Sequence, residues 1–390
     1  MDKLSPGLTQ NDKVQPDASA NTVALVKYVT EIGPDIAEIS RRLGQFKESV
    51  RYRYKEKLIK RGFAIKAEPD YSALGMKRIV VKVAFPDEYS SRASNVLETM
   101  GDLCFLVAYS GTMPSGAYLA QAAVPAEFVN EFHGLVERLR DEGVFSSVEF
   151  FDCDWQRVAP MRAESFDFDE GVWDFDWRNP PSLDEKAARG SVSERKRFDK
   201  VDLLILKELN KDGDRSLTDV QEAIKRINGV DVNYKTLGWH YTHHVSKQRL
   251  VSHYSVGWHG LNYDFERKLD VGFARYDYLG VALLVRDVNA QEKMTLRSQL
   301  DRLPFLWSEA AGGAYFAQLF VPLSMVNEAL EHFKKVLSPY RERAELLMLD
   351  KREMKSFTVC YNQWDESRNR WTFPTRELVP RLRQSVLKTV

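Results

Sequence analysis

Apolar residues recur along this chain with two periods, and the periods alternate in blocks. Phe46, Val50, Tyr54 and Leu58 fall at i, i+4, i+8 and i+12, one stripe of a helix covering residues 45–61. Gly62 ends it, since glycine suits the left-handed residue that closes a helix. Upstream, Val23, Val26, Val29 and Ile32 mark a short helix from Thr22 to Ile32, broken at Gly33-Pro34. Asp35 caps a second helix, Ile36 to Leu43, with Ile36, Ile39 and Leu43 inward, and Gly44 turns the chain into the third. Three helices with a glycine turn before the last have the spacing of a helix-turn-helix, and Phe63 to Lys66 follow as a short strand, a wing.

The period then falls to two. Arg78 to Phe85 alternates as a strand, Ser90 to Met100 reads as a helix, and Leu103 to Tyr109 and Gly116 to Val124 form a strand pair around residues 111–115. Ala126 to Asp141 is an amphipathic helix and Phe145 to Phe151 a last strand. A βαββαβ order implies a ferredoxin-like sandwich, two helices on one face of a four-stranded sheet. Residues 164–177 are acidic and aromatic, and residues 178–197, with Pro180, Pro181 and Gly190, read as a linker.

Beyond the linker the plan repeats. Val201 to Leu209, Leu217 to Ile227 (capped by Ser216) and Tyr234 to Leu250 are three more helices, and Gly280 to Val285 opens a second βαββαβ series closing near Met348. Residues 116–125 match 313–322 at seven of ten positions, Leu74-Gly75 matches Leu279-Gly280, and residues 49–54 align with 236–241. The reading is an α+β chain made of two winged helix-turn-helix domains and two ferredoxin-like domains in tandem. Its divisions are a flexible tail (1–21), a first winged helix-turn-helix (22–70), a first ferredoxin-like domain (71–163), an acidic, aromatic segment with linker (164–198), a second winged helix-turn-helix (199–276), a second ferredoxin-like domain (277–355) and a C-terminal tail (356–390). About 22 residues, Ser255 to Tyr276, are extra in the second copy.

Charge sharpens this picture at one place. Lysine plus arginine and aspartate plus glutamate each total 56, so net charge is zero and any polyanion site must be local. Seven cations fall within residues 45–61, opposed only by Glu48 and Glu56. Arg51 and Arg53 are candidates for guanine edges, Lys47, Ser49, Lys55 and Lys60 for phosphates, and Gln45, Tyr52, Lys57 and Arg61 for further contact with double-stranded DNA. The second third-helix exchanges most of this charge for His, Trp and Gly; its candidates are Asn233, Lys235, Thr236, Trp239, His240, His243, His244 and Lys247.

His240 and His244, one turn apart, suit metal chelation, but no cysteine or paired carboxylate beside them completes a set, so histidines on a polar helix face are expected and no metal. The tryptophans 155, 173, 177, 307, 364 and 371 are expected to cover sheet faces rather than line a ligand pocket. Three scattered cysteines argue for a reducing compartment, and a polar N-terminus without any run of 18 apolar residues argues against a signal peptide or membrane span, so a cytoplasmic, nucleoid-associated protein is expected.

Ile36-Ala37-Glu38-Ile39, Leu43-Gly44, Ser49 to Arg53, Lys60-Arg61-Gly62-Phe63 and Leu74-Gly75 resemble the Lrp/AsnC family of transcription regulators. The resemblance covers roughly residues 22–155 and 199–350. It implies a sequence-specific DNA-binding regulator whose third helix enters the major groove and whose sheet domains pair, within the chain or in a homodimer. The family's effector region carries an Asp after the glycine between the middle strands; here Gly116 and Gly313 are followed by Ala-Tyr, and whether a small-molecule effector binds stays open. Siroheme decarboxylases resemble the same two-domain plan, binding an acidic tetrapyrrole through His and Arg of the sheet domain. With only His133 and His332 in the sheet domains, and no nucleophile–base set, Walker loop or dinucleotide fingerprint, that reading stands second, beside a DNA-independent interaction scaffold. The expectation is therefore not an enzyme and no cofactor.

Overall fold

A computed structural model describes residues 18–178, 194–258, 278–374 and 378–387. The extra segment of the second copy lies almost wholly outside them, as do the first residues of the tail and most of the linker. The first head consists of α1 (Ala18–Ile32), α2 (Ile36–Leu43) and α3 (Lys47–Arg53), the last continued by one π-helical turn, Tyr54–Ile59. Asp35 accepts from the Glu38 amide to start α2, and Gly44 closes it in the left-handed conformation at φ 62°. Val50, Tyr54 and Leu58 are buried, but Phe46 is not part of their stripe: it precedes α3 as its N-cap residue and stands 87% exposed.

The wing β1 (Ala64–Pro69) does not pair within its own head. It pairs antiparallel with β8 (Val251–Gly257), which follows the second head, made of α6 (Lys200–Lys211), α7 (Leu217–Asn228), α8 (Tyr234–His240) and its π turn Tyr241–Ser246. The two wings thus form one two-stranded sheet between the heads. On one face Ile65, Ala67, Tyr254 and Val256 enter the helical core; Lys66, Glu68, His253 and Ser255 occupy the other.

Next come β2 (Met76–Ala84), α4 (Ala93–Leu103), β3 (Leu106–Met113), β4 (Tyr118–Pro125), α5 (Val129–Asp141) and β5 (Ser147–Val158). The second half repeats that order as β9 (Tyr278–Val285), α9 (Ala290–Leu300), β10 (Leu306–Gly312), β11 (Tyr315–Pro322), α10 (Val326–Leu337) and β12 (Ala344–Ser356). The eight strands are not two separate open sheets. β5 pairs with β10 and β12 with β3, closing one antiparallel barrel. Gly312 allows one of these seams, since a Cβ there would lie 1.8 Å from the Asp152 carbonyl oxygen. Val80, Leu119, Phe151, Leu284, Phe316 and Leu347 help fill the barrel, while larger apolar clusters lie under the helices.

Residues 118–125 and 315–322 are equivalent, fully buried strands, and their glutamines meet: Gln121 Nε2 donates to Gln318 Oε1 at 3.3 Å. Leu74-Gly75 and Leu279-Gly280 are not equivalent. Met76 pairs with Pro125 and Tyr278 with Pro322, so Leu279-Gly280 lie inside a strand, at the positions equivalent to Lys77-Arg78.

The segments read as linker and tail hold structure of their own. Phe166–Asp167 (β6) pairs with Val172–Trp173 (β7), and Trp364–Asp365 (β13) with Arg370–Trp371 (β14). Phe166 and Phe168 pack on Phe63 of the first head; Trp364 and Trp371 pack on Phe198 beside the second. The last helix, α11 (Leu378–Leu387), buries Leu378, Val379 and Leu382. Aromatic spacing of this kind gives too short a period-two run to register as a strand.

Candidate active site between the wing sheet and the barrel

The residues chosen for DNA contact are partly committed elsewhere. Arg51 is paired with Glu48 at 2.7 Å, Lys60 with Glu56 at 2.5 Å, and Lys57 with Asp169 of the first hairpin loop. Arg53 donates to Gln45 at 2.9 Å, Gln45 donates to Asn21, and burial holds the Arg53 guanidinium below its ordinary value. Lys47, Ser49, Tyr52 and Lys55 are exposed, and Arg61 is half-buried. In the second head Asn233 is spent capping α8 through the amides of Lys235 and Thr236; Lys235, Thr236, Trp239 and Lys247 are exposed.

His240 and His244 do not stand on a polar helix face. His240 Nδ1 lies 2.9 Å from Asp202 Oδ1 and His244 Nδ1 2.8 Å from Asp202 Oδ2. The paired carboxylates missing near them in sequence arrive from α6, as Asp199 and Asp202. His243 instead stacks on Trp239.

A second concentration of polar groups lies where the outer face of the wing sheet meets the barrel. Lys66, Glu68, His253 and Ser255 come from the wings; Tyr71 from the loop after β1; Arg78, Gln121, Cys153 and Gln156 from the barrel. The Arg78 guanidinium lies 4.4 Å from the centre of the Tyr71 ring, and its Nε donates to Gln156 Oε1 at 2.6 Å. Gln156 donates to Gln121, and Ser255 donates to Glu68 at 2.6 Å. Desolvation lowers Lys66, Arg78 and His253 and raises Tyr71 and Cys153 each to about 12. Glu68 opposes the shifts of Lys66, Arg78 and His253 by Coulomb attraction. Lys66, Glu68, Tyr71, Arg78, Cys153, Gln156 and His253 nevertheless each keep some accessible surface. Arg78 Nη1 and His253 Nε2 are buried without a hydrogen-bond partner among the described residues. An enclosed guanidinium with an unsatisfied N–H, close to a phenol, a carboxylate and an imidazole, suits recognition of an anion and movement of a proton.

None of these side chains stood among the candidates from sequence. The wing alternation, Lys66-Ala67-Glu68 and His253-Tyr254-Ser255, was the available signal, but only pairing of the two wings shows that the polar positions share a face.

No protein-family model matches the sequence, and no curated protein sequence matches it. Solved structures do share its fold. The crystal structure of the siroheme decarboxylase NirDL covers 93% of this chain and 99% of its own, with 11% identity and a TM-score of 0.53. The same protein in co-complex with an iron-uroporphyrin III analogue covers 94% and 98%, with 10% identity and a TM-score of 0.52. The expectation that the chain is not an enzyme is contradicted: the architecture on which it rested, heads and barrel together, is shared by a protein that is an enzyme. No helix among the described residues is long and apolar enough to cross a membrane.

Proposed function

We propose that this chain is an enzyme of siroheme decarboxylase type, taking an acidic tetrapyrrole between the wing sheet and the barrel. The observation that carries the reading is the fold shared over nearly the full length of both chains. In this reading the two heads are winged helix-turn-helix units of Lrp/AsnC descent and the barrel is a fused pair of ferredoxin-like sheets, produced by tandem duplication.

Decarboxylation breaks the bond between a side-chain carbon and its carboxylate; carbon dioxide leaves and the electron pair on carbon takes a proton. Arg78, with a buried free N–H, is the group to hold a carboxylate. Lys66, whose ammonium burial makes more acidic than usual, is the candidate proton donor, and Tyr71 stays a neutral phenol beside Arg78. His253, kept neutral by the same desolvation, offers an imidazole opposite Glu68.

The test is anaerobic incubation of the purified chain with siroheme, read by the absorbance spectrum and by mass spectrometry of the tetrapyrrole. A spectral shift with stepwise loss of carbon dioxide is expected. No shift and no decarboxylated product overturns the reading. A salt-sensitive mobility shift of genomic fragments at about 50 mM salt, abolished by Arg51→Ala with Arg53→Ala, would return the chain to the DNA-binding class.

A further inference from the structure

We infer that the second head binds a divalent transition-metal ion between α6 and the junction of α8 with its π turn. Asp199 and Asp202 stand three residues apart at the start of α6, His240 and His244 four apart on the facing helix, and one donor atom of each lies within 4.8 Å of all the others. His240 Nδ1 is 2.9 Å from Asp202 Oδ1 and 3.6 Å from Asp199 Oδ1, and His244 Nδ1 is 2.8 Å from Asp202 Oδ2. An ion bound at about 2.0–2.2 Å needs neighbouring donors roughly 3.0–3.6 Å apart, so these spacings close on a metal with small side-chain shifts.

Charge makes the same demand. The Asp202 side chain is fully buried, Asp199 is beside it, and among the described residues no lysine or arginine is paired with either. One fully buried carboxylate, with a second half-exposed beside it and two imidazoles against it, calls for positive charge, which a dication supplies. Asp199 Oδ1 accepts from the Val201 and Asp202 amides as the cap of α6, leaving its other oxygen to coordinate. Two imidazoles with two carboxylates suit zinc, iron, cobalt or manganese rather than calcium or magnesium.

The cluster is open on one side. His240, His244 and Asp199 line a cavity of about 440 Å³ together with Arg197, Phe198, Trp239 and Asn369. A coordination position facing it would take water or an anionic ligand, as metal sites with an exchangeable ligand do. The first head is an internal control, because its equivalent helix carries Arg53 and Lys57 where the second carries His240 and His244.

The full-length protein, stripped with chelator, should bind one equivalent of Zn2+ in calorimetry. Co2+ should give visible ligand-field bands characteristic of nitrogen and oxygen donors. Asp199→Asn, which preserves the helix cap, and His244→Gln should each weaken Zn2+ binding by at least about 10-fold, with unchanged circular dichroism. His240→Ala is the riskier variant because that ring is buried. Absence of stoichiometric Zn2+ binding overturns the inference, and so does binding that neither Asp199→Asn nor His244→Gln changes.

Discussion

The two heads are built alike and used differently. In each, a seven-residue helix runs into a six-residue π turn that opens on a tyrosine, Tyr54 or Tyr241. Each buries an equivalent apolar pair, one side chain from the helix and one from the turn, Val50 with Leu58 and Leu237 with Val245, and adds a buried side chain of its own, Tyr54 in the first and His240 in the second. Around this common core the surfaces diverge. In the first head Arg53 turns back onto Gln45, and Lys57 meets Asp169 in the loop of the neighbouring hairpin. In the second, His240 and His244 turn toward Asp202, and the matching hairpin loop contributes Asn369 to the rim of a cavity. Packing fixes which positions point inward; it leaves the polar positions free to become an ion-pair surface in one copy and a ligand-lined cavity in the other.

The comparison can be broken at its shared part. Leu58→Ala removes a fully buried side chain from the first head and should cost about 2–5 kcal/mol, read from denaturant midpoints. If that loss leaves the second head's unfolding untouched, the heads are independent; because the wings pair across the heads, we expect one joint transition. Arg78→Ala removes the best placed carboxylate partner and should weaken tetrapyrrole binding by about 10–100-fold, measured by absorbance titration.

His253 gives a pH test confined to the second wing. Its folded pKa is depressed by burial, so the unfolded chain takes up a proton first on acidification. Stability is therefore fully present above the unfolded value of about 6.5 and falls as pH drops below it. Glu68 and Arg157 are the charged groups that act on it, in opposite directions. Melting temperatures between neutral and mildly acidic pH should fall less steeply for His253→Phe than for the natural chain. The smallest effect belongs to Arg51→Ala. Its pair with Glu48 is exposed on both sides, and its removal should change stability by no more than about 0.5 kcal/mol.

Much of the secondary structure was legible because it rests on local periodicity: α2 is read to the residue, and the two βαββαβ orders appear in place. What escaped were long-range consequences. Phe46 continued the apolar stripe numerically, yet it falls before the first turn of α3 and faces solvent. The barrel seams join β5 to β10 and β12 to β3, partners more than a hundred residues apart that no local pattern specifies. For the same reason the sequence showed His240 and His244 without Asp199 and Asp202, which come from another helix. The candidate substrate site was hidden more deeply, since Lys66, Arg78 and His253 belong to three strands and become neighbours only after the wings pair over the barrel. The cationic helix that drew attention first was visible because its charges are contiguous in sequence, which is a poor guide to where an enclosed site lies.

The closed barrel also changes how substitutions count. Where two identical chains meet, each replacement appears twice and symmetry is preserved at every step. Here one chain supplies all eight strands, so each side of the axis is free to mutate alone. Gln121 and Gln318 mirror one another at the centre, whereas Arg78 has Gly280 as its counterpart in the other half. A covalent pairing of this kind lets the two halves take up different side chains at equivalent positions.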